Sequence, residues 1–169
     1  MNAVPDARLI LRDEELDVGL ELLLLAETAL WTAVDAALEG ENAGMGRQPL
    51  GRSHWRAAFF LRQRPGVGTQ DVAQLTGLSK QAASKTLGEL EKAGFAEKQS
   101  GDLDGRRRPT LLTEEGRAFE SRVSERLRGL VARAYRTGGL DGVAGGRRIL
   151  AALAGSRLNV GADRTRDFA

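Results

Sequence analysis

The segment Thr69-Gln70-Asp71-Val72-Ala73-Gln74-Leu75-Thr76-Gly77-Leu78-Ser79-Lys80-Gln81-Ala82-Ala83-Ser84-Lys85 reads as two short helices joined by a tight turn. Thr69 is a good cap for the first, which carries Val72, Ala73 and Leu75 on one face. Gly77 can take the positive φ that a sharp inter-helix turn needs. Leu78 can staple onto Ala83, and Ser79 can accept from the first free amides of the second helix. With Ala83, Leu87 and Leu90 directed inward, the opposite face shows Lys80, Gln81, Ser84, Lys85 and Gly88. Lysine meets phosphates or guanine edges, glutamine pairs with adenine through two bonds, and serine makes adaptable hydrogen bonds. Small Ser84 and Gly88 would let such a helix approach the floor of a groove. The segment is therefore expected to be a helix-turn-helix.

Working outward, Gly94 closes the second helix, and Phe95 to Gln99 and Thr110 to Leu112 read as two short strands. The polar stretch Ser100 to Pro109 joins them as a hairpin with a long loop. Its tip carries Asp104, Arg106, Arg107 and Arg108. Adjacent arginines repel one another unless an anion lies between them. A narrow minor groove supplies that anion, taking one inserted arginine while its neighbours meet the flanking phosphates. Asp104, two residues before Arg106, can hold that guanidinium in position. On the upstream side, Ser53 is expected to cap a helix with Trp55, Ala58, Phe59 and Leu61, ending at Pro65-Gly66. The order fits a mainly α (α+β) fold: a winged helix-turn-helix with a two-stranded wing.

Long helices flank this unit. Leu16 to Leu38 repeats apolar residues at helical spacing, and Leu22 and Leu25 widen the stripe until most of the circumference is apolar. Such a helix needs partners on two sides, and a second copy of the chain can supply one. After Thr113, a cap followed by Glu114 and Glu115, a helix carries Phe119, Val123, Leu127, Leu130, Val131, Ala134 and Tyr135 on one face. Gly138-Gly139 is expected to break it before a last helix over Leu140 to Leu153. The expected division is an N-terminal arm (1–15), an N-terminal dimerisation helix and loop (16–51), a DNA-binding lobe (52–113), C-terminal dimerisation helices (114–155) and a tail (156–169).

Residues 53 to 117 resemble the MarR (multiple antibiotic resistance regulator) family of bacterial transcription factors. The similarity rests on residues 69–85, on Leu87-Gly88-Glu89-Leu90-Glu91-Lys92-Ala93-Gly94-Phe95, on Asp104-Gly105-Arg106 and on Leu112-Thr113-Glu114-Glu115-Gly116-Arg117. The resemblance implies a two-fold dimer built from the terminal helices, with recognition helices in the major groove and wings in the minor groove. By position it carries Lys80, Gln81, Ser84 and Lys85 onto groove-facing sites and Asp104 with Arg106 onto the wing pair. Thr69, Ser79, Arg107 and Arg108 complete the candidate DNA contacts. Two departures stand out: Gly105 lies where the family usually has a second arginine, and Pro109 opens the return strand. Many members sense small aromatic acids in a crevice between dimer body and DNA-binding lobe. Trp31, His54, Trp55, Arg56 and Phe59 are the candidates here, because the first two helices should border that crevice.

Composition agrees and narrows the alternatives. The chain has 169 residues, 28% charged and 5% aromatic, which is a globular composition. Residues 1–51 carry three arginines against ten carboxylates, whereas residues 52–113 carry eleven Lys/Arg against six Asp/Glu. An acidic leader ahead of a basic middle block points to an anionic partner for that block. With no Cys and one His, disulfides, thiolate chemistry and ordinary metal sites are excluded, and no cofactor is expected. The Gly138 to Gly146 run lacks a preceding strand and a Gly-Lys-Ser/Thr, so it is not a phosphate loop. No enzyme is expected. No secretory signal or membrane span is visible, so the expected location is cytoplasmic, at the nucleoid. The expected partners are double-stranded DNA, a second copy of the chain and a small aromatic acid. The alternative function is a winged-helix protein-docking module whose basic wing contacts an acidic partner.

Overall fold

The computed structural model describes residues 10–43, 48–99 and 109–161. Helix α1 spans Asp13–Asn42, α2 Arg52–Gln63, α3 Thr69–Thr76 and α4 Lys80–Lys92. Strands β1 (Ala96–Lys98) and β2 (Thr110–Leu112) follow, then α5 (Glu114–Ala154) and a 3-10 turn over Gly155–Asn159. The strands pair antiparallel, with Ala96 opposite Leu112 and Lys98 opposite Thr110. This is the winged-helix arrangement, with a long helix on either side.

Two kinds of helix start occur. Ser79 Oγ accepts from the Ala82 amide and Thr113 Oγ1 from the Gly116 amide, both as expected N-caps. By contrast, Ser53 and Thr69 do not cap. Gly51 and Gly68 occupy those cap positions, and the third helical residue reaches back in each case. His54 Nδ1 accepts from the Gly51 amide at 2.9 Å, and Asp71 Oδ2 from the Gly68 amide at 2.9 Å. A side chain at the third position can satisfy an orphan amide as well as one at the cap, and glycine takes the extended cap conformation easily.

The core lies between α2, α3, α4 and the first half of α5. Val72, Leu87, Leu90 and Phe95 meet Ala57, Ala58 and Leu61, and Phe95 stacks on Phe119 with centroids 5.0 Å apart. From α1 only Val34, Ala37 and Leu38 are buried. Gly77 and Gly94 both take positive φ, at 74° and 79°, which turns the chain sharply after α3 and after α4.

The flanks differ from expectation in detail. Helix α1 begins at Asp13, so the last residues of the expected arm form its acidic first turn, where they meet the positive end of the helix dipole. It also runs to Asn42, one turn past Leu38, where the apolar repeat ends. The break at Gly139 is present inside α5, with φ 64° and ψ −176°. The start of the expected tail is tied down: Arg64 Nη1 donates to the carbonyls of Arg157 and Val160, and Arg157 Nε to the carbonyl of Gln74. Leu16, Leu20 and Leu22 to Leu25 on α1 and Leu140, Ile149, Leu150 and Leu153 on α5 all face solvent, Leu140 at 91% exposure. Among the described residues, no helix is long and apolar enough to cross a membrane.

Candidate nucleic-acid interface

Helix α4 is divided along its length. Ala83, Thr86, Leu87 and Leu90 are buried, while Lys80, Gln81, Ser84 and Lys85 are exposed on one arc. Ser79 Oγ accepts from the Ala82 amide as the cap, which leaves its O–H free to donate. Thr69 is half-exposed in the first turn of α3, at the helix end where backbone amides favour anions. Asp104, Arg106, Arg107 and Arg108 lie outside the described residues. Pro109, beside them, accepts from the Gln99 amide at 3.0 Å and so continues the strand pairing by one step.

The buried face of α4 is anchored through one polar link. His54 Nε2 lies 2.9 Å from Glu89 Oε2, and Glu89 Oε1 lies 4.0 Å from Lys85 Nζ. Because the Gly51 amide donates to Nδ1, the proton sits on Nε2 and is donated to Glu89. A residue expected at a ligand crevice thus ties α2 to α4.

The five expected ligand residues do not share one cavity. Trp55 and Phe59 line a largely apolar cavity of about 540 Å³ together with Leu30, Leu127, Val131 and Tyr135. Gln63, Ser124 and Arg128 supply its polar groups. His54 borders a separate 170 Å³ cavity with Glu89 and Lys92. Trp31 and Arg56 line a third, of about 340 Å³, between α1, α2 and the turn before α4. They divide in this way because four of the five lie close together on α2, whose successive residues point to different sides. The α5 contribution was missed. Its signal lay in the stripe Leu127, Val131, Tyr135, which continues at four-residue spacing beyond the part of α5 that meets the core.

Behind the large cavity runs a buried polar chain. Trp55 Nε1 donates to Ser124 Oγ at 3.1 Å, Ser124 donates to Glu120, and Arg62 pairs with Glu120. Glu120 is fully buried, and this pairing keeps its charge from standing alone. Around Trp31 the charges are arranged differently. Arg52 is hydrogen-bonded to Asp35 at 2.8 Å, which holds the Asp35 carboxyl below its ordinary range and raises the Arg52 guanidinium. Both Arg52 and Arg56 lie over the Trp31 ring, 5.1 and 5.5 Å from its centroid.

Comparison with known proteins places this geometry. The sequence pattern of the MarR family matches residues 48–107. The chain is 32% identical over 145 residues to the HTH-type transcriptional regulator PetP of Rhodobacter capsulatus, covering 86% of this chain and 83% of that one. Among solved structures it is similar to the Mycobacterium tuberculosis MarR family protein Rv2887 in complex with salicylic acid. That similarity has a TM-score of 0.56 at 26% identity, over 76% of this chain and 90% of that one. NadR in complex with 4-hydroxyphenylacetate shares the fold, with a TM-score of 0.69 at 22% identity over 90% and 99% of the two chains.

Proposed function

The chain belongs to the MarR family of DNA-binding transcription regulators, and from that premise we propose that it acts as a homodimer on a pseudo-palindromic operator. Its relatives regulate transcription rather than catalyse reactions, and the chain is a regulator of the same kind. The carrying observation is the divided helix α4: one face is locked into the core, and the other presents Lys80, Gln81, Ser84 and Lys85 to solvent. A helix with one face packed and an exposed arc of donors on the other is what major-groove readout requires. The wing arginines Arg106, Arg107 and Arg108 and the amide end of α3 at Thr69 contact the flanking backbone in this reading. Dimerisation is supported by the leucines that α1 and the end of α5 leave exposed, because monomers rarely present so much contiguous apolar surface.

The ligand site in this reading is the cavity of about 540 Å³ beside Trp55 and Phe59, within the size range of small-molecule sites. Its occupant is an aromatic acid, with the ring against the apolar wall and the carboxylate toward Arg128. The salicylic acid complex of Rv2887 supports that ligand class. Occupation would weaken DNA binding, and linkage requires DNA to weaken the ligand by the same factor.

A mobility shift of the purified protein on the DNA upstream of its own gene, with competitor present, tests the reading. A sequence-specific shift containing two chains per duplex is expected. Binding that competitor DNA abolishes completely would instead favour the protein-docking alternative.

A further inference from the structure

The far end of the chain returns to the lobe that carries α3 and α4. Beyond the break at Gly139, α5 runs on to Ala154, and Gly155, at φ 56°, turns the chain into residues 155–161. Three contacts seat that short segment. Arg64, at the end of α2, donates through Nη1 to the Arg157 carbonyl at 3.2 Å and also to the Val160 carbonyl. Arg157 Nε in turn donates to the Gln74 carbonyl at 3.3 Å. Gly161, at φ 72°, lies so close to Val67 that an added Cβ would sit 2.5 Å from Val67 Cγ1. Val67 is fully buried and β-branched, so its side chain cannot swing aside.

These contacts bracket α3. Val67 stands two residues before Thr69, where α3 begins, and Gln74 is among its last four residues. The last four carbonyls of a helix have no donor within it. Arg157 supplies one for Gln74 and places a guanidinium near the negative end of the helix dipole. A helix of eight residues has little stability of its own, so contacts at both ends decide how firmly it is held.

The next element is the turn into α4. Thr76 Oγ1 donates to the Val72 carbonyl at 2.6 Å and accepts from the Leu78 amide at 3.4 Å, immediately before the Ser79 cap. Any displacement of the end of α3 therefore passes through Thr76 to the start of α4. We propose that residues 155–161 form a strap that positions α3, with Arg157 as the positioning residue at its carbonyl end, and so sets how α4 meets DNA. The strap arrives from the part of α5 whose Leu140, Ile149, Leu150 and Leu153 face solvent, and thus joins that surface to the lobe. Its bearing on DNA rests on the regulator reading above, whereas its hold on α3 does not.

Two substitutions on the strap itself, Arg157→Gln and Gly161→Ala, test this in the full chain without altering the lobe. Amide hydrogen exchange over residues 69–78, followed by NMR, should quicken about threefold to tenfold in each, the range for one lost hydrogen bond. The amides of Phe119 and Val123, in the buried part of α5, should exchange as in wild type. Arg157→Lys, which keeps a cation at the carbonyl end, should return residues 69–78 to within twofold of wild type. Operator affinity should fall at least threefold in Arg157→Gln and Gly161→Ala, with scrambled-duplex affinity unchanged. Exchange over residues 69–78 within twofold of wild type in either variant would overturn the strap. Equal acceleration at Phe119 and Val123 would overturn it too, by reducing the segment to a source of general stability. Unchanged operator affinity beside faster exchange would remove the link to recognition. A wild type without operator preference would instead remove the regulator reading and leave the hold on α3 standing.

Discussion

His54 and Glu89 join the start of α2 to α4 through a 2.9 Å hydrogen bond, while the other His54 nitrogen accepts from the Gly51 amide. One imidazole therefore caps one helix and locates another. His54→Ala should cost about 1–3 kcal/mol, combining the missing cap with an acceptor left without its donor. Glu89→Ala should couple to it by about 0.5–3 kcal/mol in a double-mutant cycle of urea unfolding. Strictly additive losses would show that the pair stores no joint energy.

Gly116 marks the tightest backbone approach among the described glycines. A Cβ built there would lie 1.9 Å from the Phe95 carbonyl oxygen. The same carbonyl accepts from the Thr113 amide at 3.1 Å, and Thr113 Oγ1 donates to the Gly94 carbonyl. Neither backbone can withdraw without breaking the start of α5. Gly116→Ala should destabilise by about 1–3 kcal/mol or more despite alanine's better helix propensity. A thermal melt at or above wild type would contradict this packing.

The wing's existence was legible in the sequence because strand and turn chemistry is local, as Gly94, Thr110 to Leu112 and the Thr113 cap show. The buried side of α4 was legible for a similar reason: Ala83, Leu87 and Leu90 fix it by period alone. The cap positions were not. His54 and Asp71 cap from inside their helices, and a pattern search for Ser or Thr at the boundary selects Ser53 and Thr69 instead. The cavity linings were only half legible. Proximity in sequence grouped Trp55, Arg56 and Phe59, whereas the cavities are divided by helical angle and by side chains from α1 and α5 that no local spacing reveals.

Leu20 and Leu24 lie one turn apart on α1, each 56% exposed. Replacing both by glutamate should leave the fold of one chain intact, since neither belongs to its core. In solution the double variant should scatter light as a monomer where wild type scatters as a dimer, and its operator affinity should fall because a monomer can occupy only one half-site. Wild-type protein that stays monomeric and folded at micromolar concentration would contradict the dimer, whose interface in such assemblies buries on the order of 2,000 Å².

Arg106, in the loop that the sequence assigns to the wing, is expected to contribute charge and shape complementarity rather than base reading. Arg106→Ala should weaken binding to operator and scrambled DNA alike. The slope of log affinity against log salt should flatten by about 0.9 for every phosphate that each wing ceases to neutralise. An unchanged slope would mean that the wing does not meet the DNA backbone.

The most direct test concerns Gln81, which α4 presents on its exposed face with the buried side of the helix fixed. Fluorescence anisotropy of labelled operator and scrambled duplexes, at one salt concentration, gives the ratio of specific to non-specific affinity. Gln81→Ala should lower operator affinity by about 1–3 kcal/mol and leave scrambled-duplex affinity unchanged, so the ratio falls. A ratio equal to that of wild type would contradict the assignment of this helix face to base recognition.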